Sequence, residues 1–199
     1  MRNSQVTVRH RWFLGHSYIP YIDENQLLQE NWIFLVWLSH KRDSLWRVLH
    51  AFDISTHSWK IIEKIVTINK EIPFYKVNLV RGVPIDERWN LRYPDHQEKE
   101  NWFKWLSEEI SLLKPQIVYL FWKEVSDFVL QKLDTQSIHH NSYQYWPSRL
   151  ICAEHPSFIY TYKRSSLATY IENIQDTLEH HWKKDEKKSF KIALHSHIS

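Results

Sequence analysis

The run Ile33-Phe34-Leu35-Val36-Trp37-Leu38 is the longest apolar segment of the chain, and five polar residues follow it directly at 39–43. A short run of β-branched, aliphatic and aromatic side chains predicts a buried strand. Buried strands of this kind are typical of parallel sheets whose faces are covered by helices. The fold therefore depends on whether strands and helices alternate in the sequence that follows.

The sequence downstream of this strand does alternate. Further strands are predicted at 75–80, 116–121 and 149–153, and helices at 59–66, 98–113, 124–133 and 165–183. The helix at 98–113 is the clearest, because its apolar residues recur at steps of three and four. We expect an α/β protein with a three-layer α/β/α fold around a central, four-stranded, mainly parallel sheet. Residues 134–148 are predicted to form a polar loop.

The chain of 199 residues is expected to form a single domain. An N-terminal arm is predicted at 1–30, with one helical turn at 25–30. The core is expected at 32–183, and a lysine-rich tail follows at 184–199. Apolar residues make up 43% of the chain and charged residues 25%, which is the balance of a globular protein. The net charge of +3 permits a nucleic-acid partner without requiring one.

Glycine and cysteine are too scarce in this chain to form several common kinds of binding site. Only Gly15 and Gly82 are glycines, which excludes the Walker P-loop and the glycine-rich dinucleotide turn. Cys152 is the single cysteine, which excludes an internal disulfide, a cysteine-rich zinc site and an iron–sulfur cluster ligated by cysteines of this chain. The thirteen histidines include no metal-binding motif. We therefore expect no cofactor and no metal.

Neither a membrane span nor a secretory signal is predicted. A helix needs about twenty apolar residues to cross a bilayer, and the longest apolar run here is far shorter. The first residues, MRNSQVTVRHRW, contain no apolar segment of the kind that signal peptides carry. We therefore expect a cytoplasmic protein without membrane contact, and a lone cysteine suits that reducing compartment.

Ligands of parallel α/β sheets bind beyond the carboxyl ends of the strands. Three segments at those ends carry motifs: KVNLVRGVP at 76–84, LKPQIVYLFWK at 113–123, and His155-Pro156-Ser157. In this order they resemble the uracil-DNA glycosylase superfamily over about residues 32–180. The closest branch is the bacterial and archaeal one that carries an iron–sulfur cluster. Its motifs are roughly T-N-x-V-K-C-x-P, L-K-P followed by L-G-K, and H-P-S.

The resemblance implies roles for three residues in binding and excising a base that has been flipped out of the DNA stack. Asn78 would read the uracil edge, because an amide offers both a donor and an acceptor. His155 would be the electrophile that stabilises charge developing on the departing base. Phe52 would stack on the base.

The resemblance also implies contacts with DNA. The segment from Phe158 to Arg164 would press into the groove of the DNA, with Lys163 and Arg164 near the phosphates. Lys123 and Arg81, which follow two of the predicted strands, would add positive charge. The expected partner is single-stranded or uracil-containing DNA, or a small acidic inhibitor protein that mimics DNA.

The chain departs from the branch at its first motif, where G-E-x-P-G is expected. Trp37 and Leu38 stand there instead, and Leu38 occupies the position of the acidic residue that activates water. A leucine neither takes a proton nor orients a water. Gly82 replaces a cluster cysteine, and Trp122 replaces the glycine of L-G-K.

These departures predict a degenerate glycosylase, a pseudo-enzyme that keeps a groove for DNA or a DNA mimic and excises uracil weakly or not at all. One alternative is an active enzyme for uracil or another damaged base in base excision repair, with Asp43, Asp53 or His40 replacing the lost acid. A second alternative is a protein-interaction domain with no nucleic-acid role. The sequence alone leaves all three open.

Overall fold

A computed structural model of the chain describes residues 33–42, 45, 48–49, 56–69 and 72–180. The predicted arm at 1–30, its helical turn at 25–30 and the tail at 184–199 lie outside the described residues. So do Asp43, Phe52 and Asp53. Among the described residues, no helix is both long enough and apolar enough to cross a membrane.

Strands and helices alternate along the described chain. The strands are β1 (Ile33–Ser39), β2 (Lys41–Arg42), β3 (Val48–Leu49), β4 (Phe74–Val80), β5 (Ile117–Phe121), β6 (Gln136–His139), β7 (Ser142–Tyr145) and β8 (Ser148–Ala153). The helices are α1 (His57–Ile68), α2 (His96–Leu113), α3 (Lys123–Lys132), α4 (Pro156–Tyr162) and α5, which is described over 167–180. A single 3-10 turn, Arg164–Ser166, joins α4 to α5.

The four predicted parallel strands are confirmed. They form one side of a larger sheet with the order β4-β1-β5-β8-β7-β6, in which β4, β1, β5 and β8 run parallel. Because these strands are parallel, their carboxyl ends meet at one edge of the sheet. β2 and β3 pair with each other in a separate antiparallel ribbon.

The sheet has six strands and not the four expected, because the predicted loop at 134–148 is wrong. It contains an antiparallel hairpin, β6 and β7, which adds to β8. Asn141 lies in its turn with a positive φ of 61°, a conformation that asparagine tolerates better than most residues. None of the side chains of β6 and β7 is fully buried, so the segment lacks the apolar pattern from which a strand is recognised.

Helices cover both faces of the sheet, which confirms the three-layer fold. Phe34, Val36 and Leu38 of β1 pack toward α2 and α3. The alternate residues Ile33, Leu35 and Trp37 pack toward α1 and α5. Side chains on a strand project alternately to its two faces, so β1 is apolar throughout because both of its faces are covered.

The start of α2 is fixed by hydrogen bonds that also hold the preceding loop. The Asp95 carboxylate accepts from the Glu98 backbone N–H, and the Glu98 carboxylate accepts from the Asp95 N–H, which is a capping box. Arg92 donates to both carboxylate oxygens of Glu98, at 2.7 and 2.9 Å. This fork ties the segment around Arg92 and Tyr93 to the helix.

A buried ion pair connects the end of β4 to α2. The guanidinium of Arg81 donates to the carboxylate of Glu109, and the hydroxyl of Tyr75 donates to the same carboxylate at 3.1 Å. Arg81 is only 6% exposed, and Glu109 is largely covered. The positive charge of Arg81 is therefore neutralised inside the protein.

The substitution Glu109→Gln is expected to lower the free energy of unfolding by about 3–5 kcal/mol, because it leaves the buried guanidinium of Arg81 without a counter-charge. Urea denaturation of both proteins measures the change. Glu108→Gln is the matched control, since Glu108 is exposed on the same helix and its loss should change stability by no more than about 0.5 kcal/mol. Equal effects of the two substitutions would contradict this account.

Candidate functional site

A cleft of about 630 Å³ opens at the carboxyl ends of the parallel strands. The end of β1, the segment 91–93, Trp122 and α4 supply its walls. The described residues that line it are Trp37, Leu38, Ser39, His40, Lys41, Leu91, Arg92, Tyr93, Trp122, His155, Ser157, Phe158, Thr161 and Tyr162. The site therefore lies where a parallel sheet places its ligands.

The lining is aromatic and carries positive charge. Five of its side chains are tryptophan, tyrosine or phenylalanine, and Lys41 and Arg92 are its cationic residues. Within the described part of the chain, no aspartate or glutamate lines this cleft. Such a surface is suited to planar and anionic groups.

His155 is held at the start of α4, where it is the N-cap residue and precedes Pro156. Trp37 donates from its indole Nε1 to Nε2 of His155 at 3.0 Å. The rings of the two residues meet edge to face, with their centroids 4.8 Å apart. On the other side of the imidazole, the backbone N–H of Ser157 is 3.1 Å from Nδ1 and its Oγ is 2.6 Å away.

The hydrogen bond from Trp37 requires that the proton of His155 lies on Nδ1. A neutral imidazole has one N–H and one unprotonated nitrogen, so it can accept from only one of the two N–H groups around it. When Nε2 accepts from Trp37, the proton lies on Nδ1 and is donated to Ser157 Oγ. The opposite tautomer would let Nδ1 accept from the backbone N–H of Ser157, but it would point the N–H of Nε2 at the indole N–H of Trp37. His155 is thus in a state in which both ring nitrogens are engaged within the protein.

The environment of His155 also opposes its protonation. Burial, together with the positive charge of Lys41, lowers the pKa of His155 to about 4 from its ordinary value of 6.5. Protonation would replace the lone pair that accepts from Trp37 with a second donor. The imidazole therefore stays neutral at physiological pH.

Asn78 lies on β4 as the register partner of Trp37 on β1. Register partners on parallel strands project to the same face of the sheet. Asn78 is 2% exposed, and among the described residues neither its amide nitrogen nor its amide oxygen has a hydrogen-bond partner. Asn78 is absent from the cleft lining, whereas His155 is part of it. Trp37 lies on β1, which is one of the two strands between β4, which carries Asn78, and β8, which precedes His155.

Leu38 is 3% exposed and packs in the core, at the edge of the cleft. No titratable group therefore stands at the position that resembles the glycosylase acid. His40 also lines the cleft, and its Nδ1 lies 3.2 Å from the carbonyl oxygen of Leu49. The other two proposed replacements for the acid, Asp43 and Asp53, lie outside the described residues.

The residues expected to contact DNA are placed in different ways. Phe158 lines the cleft and is 41% exposed. Lys163 lies at the end of α4 and pairs with Glu154 at 2.6 Å. Arg164 stacks its guanidinium 5.3 Å from the ring of Tyr160.

The two remaining cations lie outside the cleft. Lys123 is at the start of α3, pairs with Asp127, and faces a shallow depression between α2 and α3. Arg81 is buried against Glu109, so its charge is directed into the protein. The structure therefore groups Phe158, Lys163 and Arg164 near the cleft and leaves Lys123 and Arg81 apart from them.

Trp122, which stands where the resemblance implies a glycine, keeps a backbone conformation suited to glycine. Its φ is 92°, a region that side chains rarely adopt and that costs about 1–3 kcal/mol. Its ring lies 5.5 Å from that of Tyr93 and 5.7 Å from that of His155. Trp122 therefore fills part of the cleft that a glycine would leave open.

An iron–sulfur cluster does not fit the residues present. A side chain at Gly82 would meet no atom within 4 Å, so space exists at that position of the motif. Cys152, however, is half-buried in β8 and has no second cysteine to act with. In the residues that the structure describes, no group of three histidine, cysteine, aspartate or glutamate side chains could hold a metal.

Comparison with known proteins agrees with the geometry. The sequence matches the uracil DNA glycosylase superfamily over residues 13–179. The chain belongs to this superfamily. The fold is similar to the crystal structure of SMUG2 from Pedobacter heparinus, with a TM-score of 0.55, 13% sequence identity and coverage of 76% of each chain. A search of curated proteins gave no match.

Sequence reasoning missed one wall of the cleft and part of another. Leu91, Arg92 and Tyr93 carry no motif in the sequence, and Tyr162 is only one residue of the segment from Phe158 to Arg164 that the resemblance places against DNA. Tyr93 is 67% exposed and Tyr162 is 75% exposed. The only signal for Tyr93 was an aromatic residue beside an arginine and a proline in a loop that follows a parallel strand.

In His155→Gln, the free energy of unfolding is expected to fall less between pH 6.5 and pH 4 than it does in the wild-type protein. Above pH 6.5 the residue is neutral in both states. As the pH falls toward about 4, the unfolded chain binds a proton that the folded protein excludes, so unfolding becomes easier by on the order of 3 kcal/mol. Denaturant titrations between pH 4 and pH 8 compare His155→Gln with the wild-type protein. An identical slope in both proteins would contradict the low pKa.

Proposed function

We propose that the protein is a uracil-DNA-glycosylase-like pseudo-enzyme: it binds DNA in the cleft at the carboxyl ends of the strands and excises uracil very slowly or not at all. The hydrogen bond from Trp37 to His155 carries this proposal. An electrophile must offer an N–H to the oxygen on which negative charge develops. Nε2 of His155 has no hydrogen to offer while it accepts from the indole at 3.0 Å.

The absence of an acid at the strand end supports the same conclusion. Leu38 stands at the position where the resemblance implies an acidic residue, and the described lining of the cleft contains no carboxylate. General acid–base assistance is worth about 10²- to 10⁴-fold in rate. Loss of that assistance, together with an engaged His155, removes both groups that the resemblance implies for the reaction.

The character of the cleft supports DNA as the partner. Exposed aromatic rings at its rim can stack with unpaired bases, which contributes about 1–3 kcal/mol per base. Lys41, Lys163 and Arg164 lie in or beside the cleft and can approach phosphates. An acidic protein that mimics DNA is expected to compete for the same surface.

The wild-type protein is expected to leave a uracil-containing oligonucleotide intact at times when an active member of the superfamily has excised all the uracil. Alkali treatment followed by denaturing electrophoresis detects the abasic product. Single-stranded and duplex oligonucleotides should both be used. Rapid cleavage of either would contradict the proposal and would favour an active enzyme whose acid lies among Asp43, Asp53 and His40.

Binding of a fluorescent single-stranded oligonucleotide is expected to weaken about tenfold in Tyr162→Ala, because one stacking surface at the rim is lost. Trp146→Ala is the matched control, since Trp146 is 84% exposed but lies in the turn between β7 and β8, outside the cleft lining. Raising the salt concentration should weaken binding in all three proteins, because phosphate contacts release counterions. If the wild-type protein binds no DNA at low salt, a protein-interaction domain is the better account.

A further inference from the structure

Trp37 is a buried side chain in the wall of the cleft. Its side chain is 8% exposed, although it begins on β1 at the mouth of the cleft. Its ring crosses β5, where its centroid lies 4.8 Å from that of Phe121, and its indole nitrogen reaches His155. A flat bicyclic ring is thus held by an aromatic neighbour on one side and by a hydrogen-bond acceptor at its edge.

Asn78 gives an independent sign of an unsatisfied polar group beside Trp37. A buried amide normally has hydrogen-bond partners, and a pair of orphaned amide atoms requires an explanation. Both amide atoms of Asn78 are unpartnered among the described residues, and its strand neighbour on the same face is Trp37. An indole cannot satisfy an amide that needs both a donor and an acceptor.

We propose that the indole of Trp37 is a built-in occupant of a latent pocket for a planar heterocycle, bounded by Phe121, His155 and Asn78. The walls of the pocket are still present, and a base is excluded because the indole of Trp37 occupies the space between them. The proposal rests on the proposed function, because it identifies the side chain that closes the site. Phe121 supplies the apolar wall, Nε2 of His155 accepts one ligand N–H, and Asn78 pairs with a ligand that has an N–H beside a carbonyl.

The substitution Trp37→Ala would leave a cavity of the size of the indole, and such cavities bind small aromatic molecules that fit them. Indole itself is the shape-matched probe, and uracil is the probe that can also pair with Asn78. Calorimetry is expected to show saturable binding of both probes to Trp37→Ala. Each dissociation constant should be at least tenfold smaller than the lower bound that the same experiment sets for the wild-type protein. Failure of a folded Trp37→Ala protein to bind either probe would overturn the proposal.

Trp102→Ala is the matched control. Trp102 is a half-buried tryptophan that packs against the opposite face of the sheet, so its removal loses a similar ring without opening this pocket. It should bind neither probe. Equal binding of indole to both variants would show that any lost tryptophan creates such a cavity, and it would overturn the assignment.

The double substitution Trp37→Ala with Asn78→Ala tests the polar wall of the pocket. Uracil affinity should fall at least tenfold relative to Trp37→Ala, whereas indole affinity should change by less than threefold. An equal loss for both probes, or binding of indole without binding of uracil to Trp37→Ala, would overturn the placement of Asn78 in the pocket.

Trp37→Phe keeps the proposal testable if the alanine variant does not fold. Phenylalanine keeps a ring in the pocket but removes the donor to His155. The ¹⁵N chemical shifts of the imidazole should then change toward a mixture of tautomers, and the wild-type indole N–H should exchange slowly with solvent. A rapidly exchanging indole N–H in the wild-type protein would overturn the proposal.

These measurements remain separate from the test of the proposed function. Binding of indole and uracil is measured without DNA, so it does not depend on whether the wild-type protein binds an oligonucleotide. Conversely, the wild-type protein can bind DNA without cleaving it even if Trp37→Ala binds no probe. That combination would leave the proposed function standing and would overturn the pocket alone.

Discussion

The hydrogen bond from Trp37 to His155 is the constraint on which the chemistry of the cleft depends. It joins β1 to the N-cap residue of α4, which follows β8, two strands away from β1 in the sheet. By accepting from the indole, His155 is fixed in one tautomer, stays neutral, and turns both nitrogens toward the protein. One side chain therefore determines the electrostatics of the site, its depth, and whether the buried amide of Asn78 can meet a ligand.

The parallel core was predictable because a strand that is buried on both faces is a continuous run of apolar residues in the sequence. The strand at Ile33–Leu38 and the helix at 98–113 had unambiguous patterns, and both are present. The hairpin at 136–145 was not predictable in this way, because its side chains are mostly exposed and its pairing depends on β8. The wall at Leu91–Tyr93 was missed for a related reason: the bond between Arg92 and Glu98 that positions it is a tertiary contact.

The candidate site was predictable in its composition but not in its geometry. The motif around His155 and the substitution at Leu38 were both visible in the sequence, and both residues line the cleft. The sequence also showed a tryptophan at position 37. It could not show that the indole would turn toward His155, because that direction depends on Phe121 and on the packing of α1 and α5 against the sheet. Arg81 illustrates the opposite case, in which a surface role was expected and α2 instead supplies a carboxylate that buries the charge.

Trp122 combines a backbone conformation that favours glycine with the largest of the side chains. The main chain there still follows a path with a φ of 92°, which is comfortable only without a Cβ. Trp122 carries a large ring on a backbone path that a glycine follows without strain. Shrinking the ring would therefore require no rearrangement of β5 or α3, so the obstruction is reversible in principle. Replacement of Trp122 with one small residue would widen the entrance of the cleft. The protein is therefore a favourable starting point for directed evolution of new base-recognition activities.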